Sequence, residues 1–542
     1  MRRLLLTLAV VFTSCELLYA QSGPYSSIFD DGLYEQHGDI VAGVAIYGGM
    51  ITYSDNYVNY EVGFFVNGVL RGYGTLDPEY DDYPIIDGMG IYFNPDELDG
   101  NIVTFKLYDN TNNIEYNYCI PSETIIEGHD YVDYDNPRIL DFGRSYTKDI
   151  TGYGDGNDKW YLISSPLYTN VDLEAPENLA NAPFVTNMVS DNLEIFDLYF
   201  FDQEGTGNGK EWKNWKKDVD GGSTNWGFDL APGKGYLYAN RQNVTLTFVG
   251  EPYNSDGKIH LARGTNSDHS YLVGWNLIGN PYPVSATIGR NYYIMNDTGT
   301  GLIAENSISA PIEAMEGIFV YAEADGEIVA FTPQANNTKR SMEEDRVALN
   351  LNRNNGGAID RVIVRFDEGG TLPKYTLREN STIIYIPQAD RDYAVVKGSA
   401  TNVIPVNFKT EDFGVYTLSS DIAGANVDYM HLIDKITGED VDMLLEGEYS
   451  FVAAPVDRQD RFILRLNYSG YFDDNDVNNF AYQNGSDIVV CGEGTLQVFD
   501  VMGRFVSSYE INGVQTIHAL PMGVYIFRML GDDVKTQKIY VR

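Results

Sequence analysis

The chain has 542 residues, 78 of them acidic and 37 basic, for a formal net charge of −41. A field of that sign repels a polyanion, so nucleic acid is excluded as a partner: phosphate neutralisation needs clustered Lys and Arg. Hydrophobic residues make up 43%, with 41 tyrosines and 25 phenylalanines, which is ample for packed cores and excludes a disordered chain.

At the start, Met1-Arg2-Arg3 and the largely apolar run Leu4 to Phe12 read as a signal peptide of residues 1–20, with cleavage expected after Ala20. Cys15 is a poor acylation site because Phe12 stands where an aliphatic residue is usual. No later stretch approaches the roughly 18 consecutive apolar residues of a membrane helix, so no transmembrane segment is expected in the mature chain. Of three cysteines one leaves with the leader, and Cys119 and Cys491 are expected as unpaired thiols, Cys119 as a small buried hydrophobe.

Beyond the leader the texture is short alternating or β-branched and aromatic runs, such as Tyr60 to Val66, Ile102 to Tyr108, Val244 to Val249 and Arg361 to Phe366, broken by Gly, Asn and Asp. The expected class is all-β: several β-sandwich-like domains in tandem, ending in a small β-sandwich. Only 174–182 and 191–196 are candidate short helices, the first limited by Pro176 and Pro183. Residues 21–147 form a first β domain, with a hairpin around Asn67-Gly68.

Residues 148–335 form a middle β domain. Within it, Trp160 to Pro166 is echoed by Gly274 to Pro283, and the glycine-then-strand phrase at Gly235 by Gly317-Ile318-Phe319-Val320-Tyr321. Two diverged copies of one unit would produce that echo. A polar linker is expected at 336–345, then a β-sandwich domain at 346–468 with a turn at Thr437-Gly438, a second linker at 469–480 and a terminal domain at 481–542.

That terminal segment carries Gly494-Thr495-Leu496-Gln497-Val498-Phe499-Asp500-Val501-Met502-Gly503-Arg504, then Pro521-Met522-Gly523-Val524-Tyr525, then Lys535 to Arg542. Asp500 and Gly503 sit where a turn wants an acidic start and a glycine end. The pattern resembles the type A C-terminal sorting domain of Bacteroidetes type IX secretion cargo, and phrases in the preceding blocks resemble other exported proteins of that group. The resemblance implies secretion to, or display on, the cell surface. It also implies partners in the type IX machinery and its sorting protease, clipping in the linker, and a surface polysaccharide anchor. Asp500, Gly503, Arg504, Gly523, Lys535 and Lys538 match its motif.

No Gly-x-Ser-x-Gly, His-Glu-x-x-His, P-loop or Cys-x-x-Cys occurs. Asp474, Asp476 and Asn478 alternate like the opening of a calcium loop, yet Asn479 replaces the glycine such a loop needs, which excludes an EF-hand and leaves Ca2+ as a weaker candidate. Asp155 to Asp158 is a similar acidic turn. Trp212 and Trp215 lie three apart, on opposite faces of any strand, so core packing is favoured over a sugar platform. The expected passenger is a non-catalytic binding or adhesion module for a host glycan or matrix protein, with no catalytic residue to nominate. The alternative is an extracellular hydrolase of polysaccharide or protein using a carboxylate pair that sequence alone does not single out.

Overall fold

The computed structural model describes residues 24–541 apart from 29–35, 79, 81, 94–101, 122–123, 126–129, 132–136, 155, 157–158, 174–177, 206–210, 217–226, 267–268, 306–310, 335–344, 354–356, 368, 379–380, 400, 469–479, 485–486, 519 and 532–533. The fold is all-β in sandwich-like sheets. Among the described residues the helical pieces are Pro24–Ile28 and three single 3₁₀ turns, and no helix is long and apolar enough to cross a membrane. Of the two candidate helices, the first is the 3₁₀ turn Leu179–Asn181 where it is described. The second is a turn feeding the strand that starts at Phe196, a residue claimed by the core beneath that strand.

Two compact units form, one from residues within 1–397, 405–423 and 447–462 and the other from residues within 398–404, 424–446 and 463–542. In the first unit, strand Gln36–Ile46 pairs antiparallel with Ile85–Phe93 and parallel with Arg138–Gly143. Tyr60–Val66 turns back as Val69–Asp77 through Asn67 and Gly68, at φ +51 and +76, as a two-residue hairpin requires. Val44, Val62, Phe64, Ile86, Leu107 and Phe142 fill the core beneath. Cys119 is buried there and unpaired, and burial pushes its thiol well up.

The middle of this unit holds two four-stranded sheets. The first contains Tyr161–Ser164 (β1), Phe196–Phe201 (β2), Trp212–Asn214 (β3) and Gly235–Asn240 (β4), in the order β1-β4-β2-β3. The second contains Trp275–Gly279 (β5), Tyr292–Met295 (β6), Leu302–Glu305 (β7) and Gly317–Tyr321 (β8), in the order β5-β8-β6-β7. The two orders are the same. Registers agree as well, since Ser164 faces Gly235 in one sheet and Gly279 faces Gly317 in the other.

Strand alternation sends the side chains of these sheets into different cores. Ile163, Tyr236 and Tyr238 pack with Leu246 and Phe248 of the small sheet Ser145–Ile150, Val244–Val249 and Phe184–Thr186. Ile278, Ile318 and Val320 pack instead with Val329 and Phe331. The opposite faces, with Leu162, Trp275, Leu277 and Phe319, meet in a third core that also takes in Ala348, Ile363, Leu372, Tyr375 and Val395. Burial on both faces explains why these strands are apolar almost without interruption. That third core therefore spans the polar run between 335 and 345.

The glycines of the echoed phrases have a steric reason. A Cβ on Gly235 would lie 2.5 Å from the carbonyl oxygen of Ile278, and one on Gly279 would collide with Ser164. Backbone bridges Ile163 to Glu316 and Lys234 to Ile278 cross at this junction, and Ser164 Oγ donates to the carbonyls of Asn280 (2.9 Å) and Glu316 (3.1 Å).

In the second unit, Val427–Asp434 pairs with Asp440–Asp442 across the turn at Thr437-Gly438. Its terminal sheet contains Ala481–Asn484, Asp487–Asp500, Phe505–Ile517, Gly523–Leu530 and Val534–Val541. A core of its own lies beneath, with Ile488, Val490, Leu496, Val498, Ile511, Phe527 and Ile539.

Candidate functional site

The residues of the sorting-like motif fall into two groups. Asp500, Gly503 and Arg504 form one turn: Asp500 Oδ1 accepts from the backbone N–H groups of Met502 and Arg504, each at 2.9 Å, and Arg504 Nε reaches Asp500 Oδ2 at 2.6 Å. Gly503 closes it at φ +74, a conformation that side chains with a Cβ rarely adopt. These bonds hold the Asp500 carboxyl below its ordinary value. At the tip Val501, Met502 and Phe505 are exposed, Met502 by 78%. Gly523 begins the neighbouring strand, two residues before the Tyr525 that faces Asp500. Lys535 and Lys538 lie on the last strand, opposite Met529 and Ile526, and are not part of the turn.

A polar cleft of about 400 Å³ opens in the first unit, within the size range of small-molecule sites, roughly 300–1,000 Å³. It is lined by the turn 296–302 that joins β6 to β7, by Arg353 and residues 359–360 of the adjoining hairpin, by residues 375–378 and 381–383, and by Glu411 and Asp412. Asn296 organises the turn. Its Oδ1 accepts from Thr298 Oγ1 at 3.0 Å, Thr300 N at 2.9 Å and Gly301 N at 3.3 Å. The same side chain is only 4% exposed, and its Nδ2 has no hydrogen-bond partner among the described residues. Arg353 pairs with Asp412 through Nη1 at 2.7 Å, while its buried Nε also has no hydrogen-bond partner among the described residues.

Behind the cleft, Lys374 Nζ lies 2.6 Å from both oxygens of Asp360, and Ile384 N donates to Asp360 Oδ2 at 2.8 Å. Both side chains are buried. Burial pushes the Asp360 carboxyl up and the Lys374 amine down, each opposed by its partner's charge. Tyr375 lines the cleft and stacks on Trp275 at 4.5 Å, tying the wall to the core.

The other residues singled out from sequence lie elsewhere. Trp212 packs against Phe201 at 5.1 Å and Trp215 against Phe196 at 6.0 Å, in separate cores. Asp474, Asp476 and Asn478 lie outside the described residues, as do Asp155, Asn157 and Asp158. Among the described residues no three His, Cys, Asp or Glu side chains group to hold a metal ion. Sequence reasoning missed Asn296, Arg353 and the Asp360–Lys374 pair. The one local signal was the polar, glycine-rich run Asn296-Asp297-Thr298-Gly299-Thr300-Gly301 between two apolar strands, which reads as an ordinary turn. No protein-family model matches the chain, and no curated protein matches it.

Proposed function

We propose that this chain is a cargo of type IX secretion whose terminal sheet is the sorting signal and whose remaining domains recognise a ligand at or beyond the cell surface without catalysis. The observation that carries the export reading is the turn in which Asp500, Gly503 and Arg504 satisfy one another on a sheet with its own core. Separate motif letters thereby become one rigid, charged feature with an exposed apolar tip, and exposed apolar surface of that kind suits a docking partner. The cleft in the first unit, lined mostly by polar residues, supports the recognition reading.

Deleting 481–542 in a type IX-competent host tests the export half: the truncated protein is expected to accumulate in the periplasm. Arrival of that truncated chain at the surface would refute the assignment. Asp500→Ala, which removes three hydrogen bonds from the turn, is expected to reduce export while leaving the first unit folded.

A further inference from the structure

We infer that the cleft beside Asn296 binds a neutral saccharide, held by hydrogen bonds from the Asn296 amide and Arg353. This inference rests on the recognition reading above and names its site and ligand class.

A buried donor without an acceptor costs about 1–3 kcal/mol, so native proteins keep few of them. Two such donors, Asn296 Nδ2 and Arg353 Nε, belong to residues that line one cleft. The first sheet supplies an internal control. Gln203 lies two residues past the end of β2, one further than Asn296 lies past β6, and is similarly buried at 5% exposed. Its Nε2 donates to the carbonyls of Ala262 (2.8 Å) and Trp275 (3.1 Å), and its Oε1 accepts from Gly264 N and Gly274 N, each at 2.8 Å. One amide is satisfied wholly within the protein. The other keeps its oxygen occupied and its buried N–H groups without an acceptor among the described residues, on a residue that lines the cleft.

The cleft's chemistry selects the ligand. Unpartnered donors call for an acceptor, and the carboxylates of Glu411 and Asp412 on the same lining call for donors. A sugar hydroxyl is both at once. Arg353 and Arg378 balance Glu411 and Asp412, two charges against two, and Asp360 is neutralised by Lys374. An anion therefore gains no net attraction from the lining and is repelled by a chain of net charge −41. Thr300 and Thr376 add hydroxyls that can donate or accept.

The test is retention of the purified protein on an array carrying neutral, uronate-containing and sulfated glycans together with matrix proteins, repeated with Asn296→Asp and Arg353→Lys. Asn296→Asp keeps the oxygen that organises the turn and removes the open donor; Arg353→Lys keeps the charge facing Asp412 and removes Nε. Thermal melting of each variant establishes that it is folded. Saturable retention on neutral glycans, weakened about tenfold or more in both folded variants, is the expected result. Equal retention by both variants would overturn the site, and retention on acidic glycans alone would overturn the ligand class. Retention on a matrix protein with no glycan bound would overturn this inference and leave the recognition reading standing, whereas silence across the array would overturn both. Export is decided separately by the deletion.

Discussion

The two four-stranded sheets share strand order and register yet differ in what their equivalent positions do. In the first, Gln203, two residues past β2, is consumed in holding strands together; in the second, Asn296, one residue past β6, lines a cleft. At the junction, the residue before β4 is Lys234 and the residue before β8 is Glu316. Burial drives both toward their neutral forms, pushing the Lys234 amine down and the Glu316 carboxyl up. One framework thus tolerates opposite charges at matched places so long as the glycines beside them stay small. Shared topology fixes the backbone, while the side chains at strand ends decide whether a position is structural or available.

The strongest break in this comparison is behind the second sheet. Lys374→Met strands the Asp360 carboxylate and is expected to cost about 3–5 kcal/mol, measured by urea unfolding. Combining it with Asp360→Leu should restore most of that loss, because an apolar pair of similar volume needs no compensation. Next in size, Gly235→Val or Gly279→Val drives a side chain into the opposing sheet at the junction and should cost about 1–3 kcal/mol or more. Valine at Gly289, where a Cβ meets nothing, is the open control, and junction variants as mild as that one would deny the steric reading.

Gln203→Leu takes the side-chain acceptor from the N–H groups of Gly264 and Gly274 and a donor from the carbonyls of Ala262 and Trp275, at a cost of at least about 1–3 kcal/mol. The matched junction residues should differ in the sign of their pH response. Glu316 has a folded value raised above its ordinary 4.5, so its contribution is present at low pH and is lost as pH rises through the folded value. Lys234 has a folded value lowered from 10.5, so its contribution is present at high pH and is lost as pH falls through the folded value. Melting temperature against pH for Glu316→Gln and Lys234→Met, compared with the parent, checks both slopes. The smallest effect belongs to Arg353→Lys, expected to shift the melting temperature by no more than about 2–4 °C, equivalent to about 1 kcal/mol, because a cation still faces Asp412.

Fold class was legible because strand periodicity is local. Ile102–Asp109 alternates exposed and buried along its length, and Asn67-Gly68 carries its turn chemistry in two letters. The Asp500-to-Arg504 turn was legible for the same reason, its bonds spanning four residues. The cleft was not. Asn296 and Arg353 are 57 positions apart, Asp412 another 59, and whether an amide is satisfied depends on what the tertiary fold brings to it. The ion pair of Asp360 and Lys374 was hidden among 78 acidic residues, since sequence shows a charge but not its burial. The two tryptophans were read from spacing alone, and spacing sends them to the separate cores they occupy.

The side chain of Gln537 accepts from the N–H groups of both Phe480 and Ala481, each at 2.7 Å, and donates to the carbonyl of Ala481 at 2.5 Å. The first residues of the terminal sheet are thereby stitched to its last strand. A proteolytic cut anywhere before Phe480 severs none of these three bonds, and it removes no member of the sheet's core. The terminal sheet therefore closes on itself: among the described residues none of its strands pairs with a strand of another sheet, so a cut ahead of it leaves its ladder whole.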